Sequence, residues 1–567
     1  MEGKRGVNMK LLLADEEIKD PFQQIIRFWG RIPAAVASKI LKNIISEHFQ
    51  GNEVEKMVVL DPFGGSGSLI FEAAKLGANC IYSDVNPVFT FIAKTTISHV
   101  NIKKLEQMFK LLKEKILSHK YPLYYSNEIV KKSLMDLYKT KTNGKTYVIS
   151  KTLIDPVLSL KNNWSDEVYT KLIMNGKTIT KLAAEIYMQL KNSKQYSFSE
   201  LRAKILKEKT SKDTEKTKFL FSKALRLLKR MKLINIEFKP FIIHFGKFEN
   251  NKFTNIGTKN ATNDDITLFK EIEEHIKPYF WYPNNKLKYP PHLGGRPFKK
   301  ADAHERISEL FTKRNLIALS ILRHEIWSLP EKTYEEKIAK DHLKLCFLSI
   351  LAQCSKMQHP NGGSWPVKSY WTPFNCIEYN VWFQFERKYK KILKLKKTLQ
   401  SNGYVNIDKK IIFYTCDVLE IDKEVPQKSI DLIIAHPPYY SSIQYGELSY
   451  LWATWLNEKT PFKQEIVVNP QQYIPLNNSK KVPKKDNIFE KEIKKAFQKL
   501  NLLLKDSGIL SIIFNTRNHQ RKQRFLQCVK EANFTITEIY RCPQIKMFKH
   551  GISKFIKENL VIVCQKA

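Results

Sequence analysis

The sequence of 567 residues contains no C-x-x-C pair: Cys80, Cys346, Cys354, Cys376, Cys416, Cys528, Cys542 and Cys564 are scattered along it. That spacing excludes a zinc knuckle and a disulfide framework. The thiols are therefore expected to be buried or inert, with no structural metal. No stretch reaches the roughly 18 uninterrupted apolar residues of a membrane span. The opening MEGKRGVNMKLLLADEEIKD has too short an apolar run, followed at once by acids, for a secretory signal. These absences lead to the expectation of a cytoplasmic protein with no membrane partner. Acid is scarce as well: 56 Asp+Glu stand against 95 Lys+Arg, a formal net charge of +39. So positive a surface attracts a polyanion, because neutralising phosphates releases condensed counterions. A lysine-biased composition with solvated lysine faces gives the same total. Charge admits a nucleic-acid partner without requiring one.

What is present is an interrupted α/β rhythm. Apolar residues at helical spacing (Val36, Ile40, Leu41, Ile44, Ile45, Phe49) predict a helix from Ala34 to Phe49. A short buried strand, Met57 to Leu60, runs into DPFGGSGS (Asp61 to Ser68), then a helix to Leu76 that stops at Gly77. A second strand, Asn79 to Ser83, ends at Asp84. Strand, glycine loop, helix, strand, acid is half of a nucleotide-binding sheet. From about Asn101 to Lys410 the chain reads as mostly helical and lysine-rich. Strands resume at Ile411 to Cys416 and Ile430 to Ala435, then at Ile509 to Phe514, Thr535 to Tyr540 and Asn559 to Cys564. With the first two they make a sheet of seven strands in one domain carrying a large insertion. Within the insertion, Thr178 to Leu190, a helix opened by the capping segment Ser197-Phe198-Ser199-Glu200, and Lys218 to Met231 precede alternating Ile234, Ile236 and Phe238. Three helices and a β-wing over 176–246 suggest a winged helix whose third helix, with Lys223, Arg226, Lys229 and Arg230, would enter a DNA groove. Any helical hairpin with lysines on its wet side gives the same pattern.

Gly64, Gly65 and Gly67 let backbone N–H groups and a helix N-terminus approach a ligand closely. Asp84 lies 23 residues beyond Asp61, close to the ~20-residue spacing at which a second-strand acid takes a ribose. The loop has neither the G-x-G-x-x-G of a dinucleotide site nor the G-K-[ST] of a P-loop, so it is not built for ATP phosphates.

V-L-D-P-F-G-G-S-G-S resembles the first motif, D-P-F-x-G-x-G, of the S-adenosylmethionine-dependent amino-methyltransferases of DNA. The resemblance implies a Rossmann-like methyltransferase fold, with S-adenosylmethionine lined by Asp61, Phe63, Gly64, Gly65 and Gly67, its ribose on Asp84 and its adenine against Asp417. It also places Phe28 to Pro33 against the cofactor's methionine end. The strand Ile430 to Ala435 runs into His436-Pro437-Pro438-Tyr439, which is similar to the family's catalytic tetrapeptide of Asp, Asn or Ser, two prolines and an aromatic. An exocyclic amine is a poor nucleophile because its lone pair is delocalised into the ring. Acceptors that grip its hydrogens free that pair. Two prolines stiffen the turn and leave a carbonyl without local N–H competition. His436 and the Pro437 carbonyl are thus expected to accept from the amine, and Tyr439 to stack on a flipped base. An imidazole accepts only when neutral, so activity is expected to fall as pH drops through about 6.5.

The continuation Y-Y-S-S-I-Q-Y-G-E-L-S-Y-L-W, and R-I-S-E-L-F-T-K-R-N-L-I-A-L-S-I-L upstream (Arg306 to Leu322), resemble a prokaryotic adenine-specific subgroup of restriction–modification or orphan methylases. The reading is therefore a site-specific methyltransferase acting on double-stranded DNA, at adenine N6 or cytosine N4, nucleoid-associated and with a restriction endonuclease as potential partner. Its parts would be 1–100 with the cofactor loop, an inserted recognition region 101–295, a helical segment 296–410 leading back, and 411–567 with the catalytic loop. Tyr440, Tyr445, Trp365, Tyr370 and Trp371 are further candidates for the border of the base site. Two rivals remain at this level: an RNA guanine-N2 methyltransferase, which shares both motifs, and a non-catalytic DNA-binding relic of the fold.

Overall fold

The computed structural model describes residues 9–11, 25–26, 28, 30–49, 54–126, 128–161, 166–175, 177–193, 195–207, 214–249, 252–287, 305–360, 370, 372–441, 443–477, 480–516, 518–543 and 558–567. Eight strands form the main sheet: β1 (Met9–Leu11), β2 (Val58–Asp61), β3 (Asn79–Asp84), β4 (Ile411–Thr415), β5 (Ile430–Ala435), β6 (Leu504–Phe514), β7 (Phe534–Pro543) and β8 (Glu558–Lys566). Their order is β1-β7-β8-β6-β5-β2-β3-β4. Neighbours run parallel except β8, which is antiparallel to both β6 and β7. The seven strands expected are β2 to β8. The eighth, β1, corrects the count; three residues, M-K-L, are too few to show a period.

The central strands are short apolar runs because both of their faces are covered. Alternate residues feed two cores. Val59, Leu432, Ile434 and Ile513 join the helices Ala34–His48, Pro87–Ile97 and Tyr334–Ile350 on one face. Leu60, Ile433, Leu510 and Ile512 join Asp486–Leu503 and His519–Lys530 on the other. From β2 the chain steps to β3 on one side, while β5 lies on the other, so the crevice beyond Asp61 and Ala435 is the switch point where such sheets take ligands.

Helix outweighs strand in the insertion, as expected, but it also holds sheets that the pattern did not show. Two strands of 16 residues, Lys145–Leu160 and Ile234–Glu249, pair antiparallel from Val148↔Gly246 to Leu160↔Ile234. Lys252–Asn260, Cys376–Tyr379, Lys139–Thr142 and Gln195–Ser197 complete that sheet. Tyr121–Tyr125, Glu128–Lys132 and Ile276–Pro278 form another. Pro156 and Pro240, inside the long strands, hide them from a pattern reading because proline cannot donate to a ladder.

At one end of the long ribbon, helices Thr178–Ser193, Phe198–Lys207 and Thr214–Arg230 enclose a small core of Leu182, Ile186, Leu201, Phe221, Leu225 and Leu228. The expected capping segment is a reciprocal pair. Ser197 Oγ accepts from the Glu200 N–H at 3.1 Å, and Glu200 Oε2 from the Ser197 N–H at 3.1 Å. Of the expected wing residues, Ile234 and Ile236 join that small core, and farther along the hairpin Phe248 and Phe253 pack on Phe383 of the helix Val381–Ser401, at 5.8 and 4.4 Å between ring centroids. On the third helix, Lys223 is exposed, whereas Arg226 donates to the Thr372 carbonyl at 3.4 Å and lies over Phe374.

A buried ion pair joins the inserted sheet to the helical face of the main one. Arg314, on the helix Lys313–Trp327, donates to Glu378 on the strand Cys376–Tyr379 at 3.0 Å, and to Thr152 at 3.3 Å. Removing one partner of such a pair strands a charge in low dielectric. Arg314→Met should lower unfolding stability by about 3–5 kcal/mol in urea titration, and Arg314→Met with Glu378→Leu should lose less.

Candidate active site

The glycine loop is shaped by contacts that exclude side chains. The Gly64 N–H donates to the Ser83 carbonyl at 2.9 Å, pressing the loop onto β3. A Cβ on Gly64 would lie 2.2 Å from the Tyr82 ring. Gly65 and Gly67 have φ of +49° and +78°, a region only glycine enters freely. Gly67 opens the helix Ser68–Lys75. The Tyr82 hydroxyl donates to the Gly65 carbonyl at 2.9 Å.

The acids at the strand ends hold the loops around them. Asp61 Oδ1 accepts from the Phe63 N–H at 3.1 Å. Asp84 accepts from Gly65 N–H at 2.9 Å and Asn86 N–H at 2.8 Å, leaving further lone pairs on both oxygens. Asn86 caps the helix Pro87–Ile97 and reaches Ser449 Oγ at 2.9 Å, on the helix Tyr445–Leu456. Asp417, past β4, accepts from the Leu419 N–H at 3.0 Å. Burial pushes the Asp61 carboxyl up to about 8, against the Phe63 N–H and with help from Asp84. Burial likewise lifts Asp84 to about 6 and raises Asp417.

One open cleft gathers these residues. Its walls include Asp61, Phe63, Gly64, Gly65, Asp84 and Asp417 together with His436 and Pro438. Phe28, Gly30, Arg31 and Ile32, from the segment ahead of the first helix, also line it. Gly67 and Pro437 stand outside the wall, Gly67 against Ala93 and Ile97, where a Cβ would lie 3.0 and 3.1 Å away.

Tyr439 also stands outside it, which departs from the expected stacking position. Its hydroxyl is bonded to His436 Nε2 and lies 3.3 Å from the Ile513 carbonyl. Its ring meets Phe514 edge-on at 5.5 Å. Burial alone lowers the His436 pKa from 6.5 to about 4. Burial therefore favours the neutral ring and moves the expected loss of activity to a pH below 6.5.

Tyr440 points away from the cavity, packed on Phe489 at 4.3 Å with its hydroxyl donating to the Arg521 carbonyl at 3.0 Å. Tyr370 is a core residue whose hydroxyl donates to the Glu447 carbonyl at 2.7 Å. Tyr445 does line the cavity. Trp365, Trp371 and Arg230's side chain lie outside the described residues. Sequence reasoning missed Asn86, Phe89 and Glu465, all in the wall. The D/N-P pair at Asn86-Pro87, a cap before a helix, carried the only signal for the first.

Two expectations can be measured on the unliganded protein. Gly64→Ala should lose about 1–3 kcal/mol of stability through overpacking against Tyr82, read by thermal unfolding. Between pH 6.5 and about 4 the unfolded chain binds a proton that folded His436 refuses. That stabilising contribution is complete above 6.5 and disappears as pH falls to about 4. The stability difference should thus shift toward His436→Asn by up to about 3 kcal/mol over that interval; a constant difference contradicts it.

A model of the family described as D12 class N6 adenine-specific DNA methyltransferase matches residues 38–271. No curated protein and no solved structure matches the chain. The matched stretch is under half of the 567 residues; it holds the glycine loop and Asp84 and ends before Asp417 and His436. Over those residues the chain is similar to the D12 class N6 adenine-specific DNA methyltransferases, and the match supports an adenine DNA methyltransferase.

Proposed function

We propose that the chain transfers a methyl group from S-adenosylmethionine to N6 of adenine in DNA. One observation carries this reading: the loop at the end of β2 and the His-Pro-Pro-Tyr turn at the end of β5 line the same cavity. The sheet order, with its single antiparallel strand, supports a Rossmann-like methyltransferase fold.

The cavity suits the donor chemically. Asp61, Asp84, Asp417 and Glu465 make a wall rich in carboxylates, fitting a ligand that carries a sulfonium and an ammonium, and Arg31 fits the carboxylate of its methionine end. Asp84 would take the ribose hydroxyls and Asp417 the adenine. When bound, the cofactor supplies an electrophilic methyl group.

The chain's own residues prepare the acceptor. Tyr439 donates to the Ile513 carbonyl and accepts from His436 Nε2–H, which fixes the tautomer and leaves Nδ1 as the ring's acceptor. That nitrogen accepts from the target amine and localises its lone pair, while Pro437, outside the wall, stiffens the turn. The amine gains a methyl group and releases one proton to solvent. Tyr439 thus acts as a positioning residue for His436. DNA is drawn to the +39 chain, and exposed Lys223 on the third helix of the inserted subdomain is placed to meet phosphates.

The test is mass spectrometry of nucleosides from DNA incubated with protein and S-adenosylmethionine. N6-methyladenine is expected; N4-methylcytosine, or no product, overturns the assignment. His436→Ala should lower kcat about a hundredfold or more with cofactor affinity retained.

A further inference from the structure

Glu465 belongs to the cavity wall but not to either motif. It lies beyond the helix Tyr445–Leu456, whose first residues donate to it: Tyr445 N–H to Oε1 at 2.7 Å and Gly446 N–H to Oε2 at 3.1 Å. A Cβ on Gly446 would stand 2.8 Å from Oε2, so a glycine is what lets the carboxylate sit so close. Its backbone is fixed separately. Lys484, fully buried, donates to the Glu465 carbonyl at 2.6 Å and forms an ion pair with Glu492 at 3.1 Å. Glu465 is 7% exposed. The charged and titratable groups facing it are Asp84, Tyr445 and Lys484.

A helix N-terminus can be capped by any short polar side chain at the surface. Burying a full carboxylate there, in a wall that already has Asp61, Asp84 and Asp417, adds repulsion to desolvation. Burial accordingly pushes Glu465 up to about 7, with Asp84 adding to the rise. A positive ligand removes both penalties at once. In a cavity of low dielectric its charge is felt across several ångströms, so direct contact is not required.

We infer that Glu465 is a further cofactor-site residue, whose buried carboxylate makes the cavity favour the cationic methyl donor over the neutral thioether left after transfer. The inference rests on the cofactor reading above. It gives the site a physical means of releasing product, since methyl transfer removes the charge that the wall holds.

The experiment is isothermal titration of the full-length wild type, Glu465→Gln and Glu465→Asp with S-adenosylmethionine and with S-adenosylhomocysteine at pH 8. Glu465→Gln should weaken S-adenosylmethionine about five- to tenfold while changing S-adenosylhomocysteine less than about twofold, and Glu465→Asp should keep the wild-type preference. At pH 7, wild type should release more protons on binding the donor than Glu465→Gln does, because the bound cation holds the carboxyl ionised. Equal weakening of both ligands, or no change in either, overturns the inference and leaves Glu465 as a helix cap. Wild type that binds neither ligand instead overturns the cofactor reading, and the inference with it.

Discussion

The site depends on one strand pairing. β2 and β5 lie side by side in parallel register, Val59 opposite Leu432 and Leu60 opposite Ile433, although more than 370 residues separate them in the chain. Asp431 fastens the pair from below, accepting from the Val58 N–H at 2.9 Å and from Lys505 on β6 at 2.7 Å. Because the strands are parallel, their carboxyl ends finish together, and the loops that leave them must share one crevice. β2 gives way to the glycine loop and β5 to the His-Pro-Pro-Tyr turn. A slip of one residue in that register would exchange the two cores that Leu432 and Ile433 feed.

The insertion between β3 and β4 adds residues without disturbing that pairing. It leaves after the helix Pro87–Ile97 and returns through Val381–Ser401, whose Lys396 donates to the carbonyls of Thr96 and Ser98 at 2.7 Å each. The end of one element is thereby capped by the last α-helix before β4. The ribbon, the small three-helix core and the Arg314–Glu378 pair are thus anchored to the face of the sheet opposite the helices Asp486–Leu503 and His519–Lys530. A long insertion is tolerated because its closing cost grows only slowly with length.

Much of this was legible in the sequence, for physical reasons that also mark where legibility ends. β2, β3 and β5 are short apolar runs that end at Asp or before His-Pro-Pro, the pattern of strands covered on both sides. The glycines declare themselves because backbone must pass close to Tyr82 and to the helix Pro87–Ile97. The long inserted strands did not, since Pro156 and Pro240 interrupt them and their lysines obscure the alternation. Tyr439 was legible as a member of the motif, but its bond to His436 was not. Glu465 was invisible because its partners are two backbone N–H groups, which no side-chain pattern encodes.

The histidine at the head of the tetrapeptide fits the same electrostatics. The wall carries Asp61, Asp84, Asp417 and Glu465, and burial raises the pKa of each. An aspartate in place of His436, as related tetrapeptides have, would add a fifth carboxylate to a cavity that already resists ionising four. A buried imidazole offers an acceptor nitrogen with no charge, and desolvation keeps it neutral. Its cost is that an imidazole has two nitrogens and only one suitable tautomer. In the proposed reading, Tyr439, bonded to Nε2 and 3.3 Å from the Ile513 carbonyl, supplies the choice that an aspartate would not need.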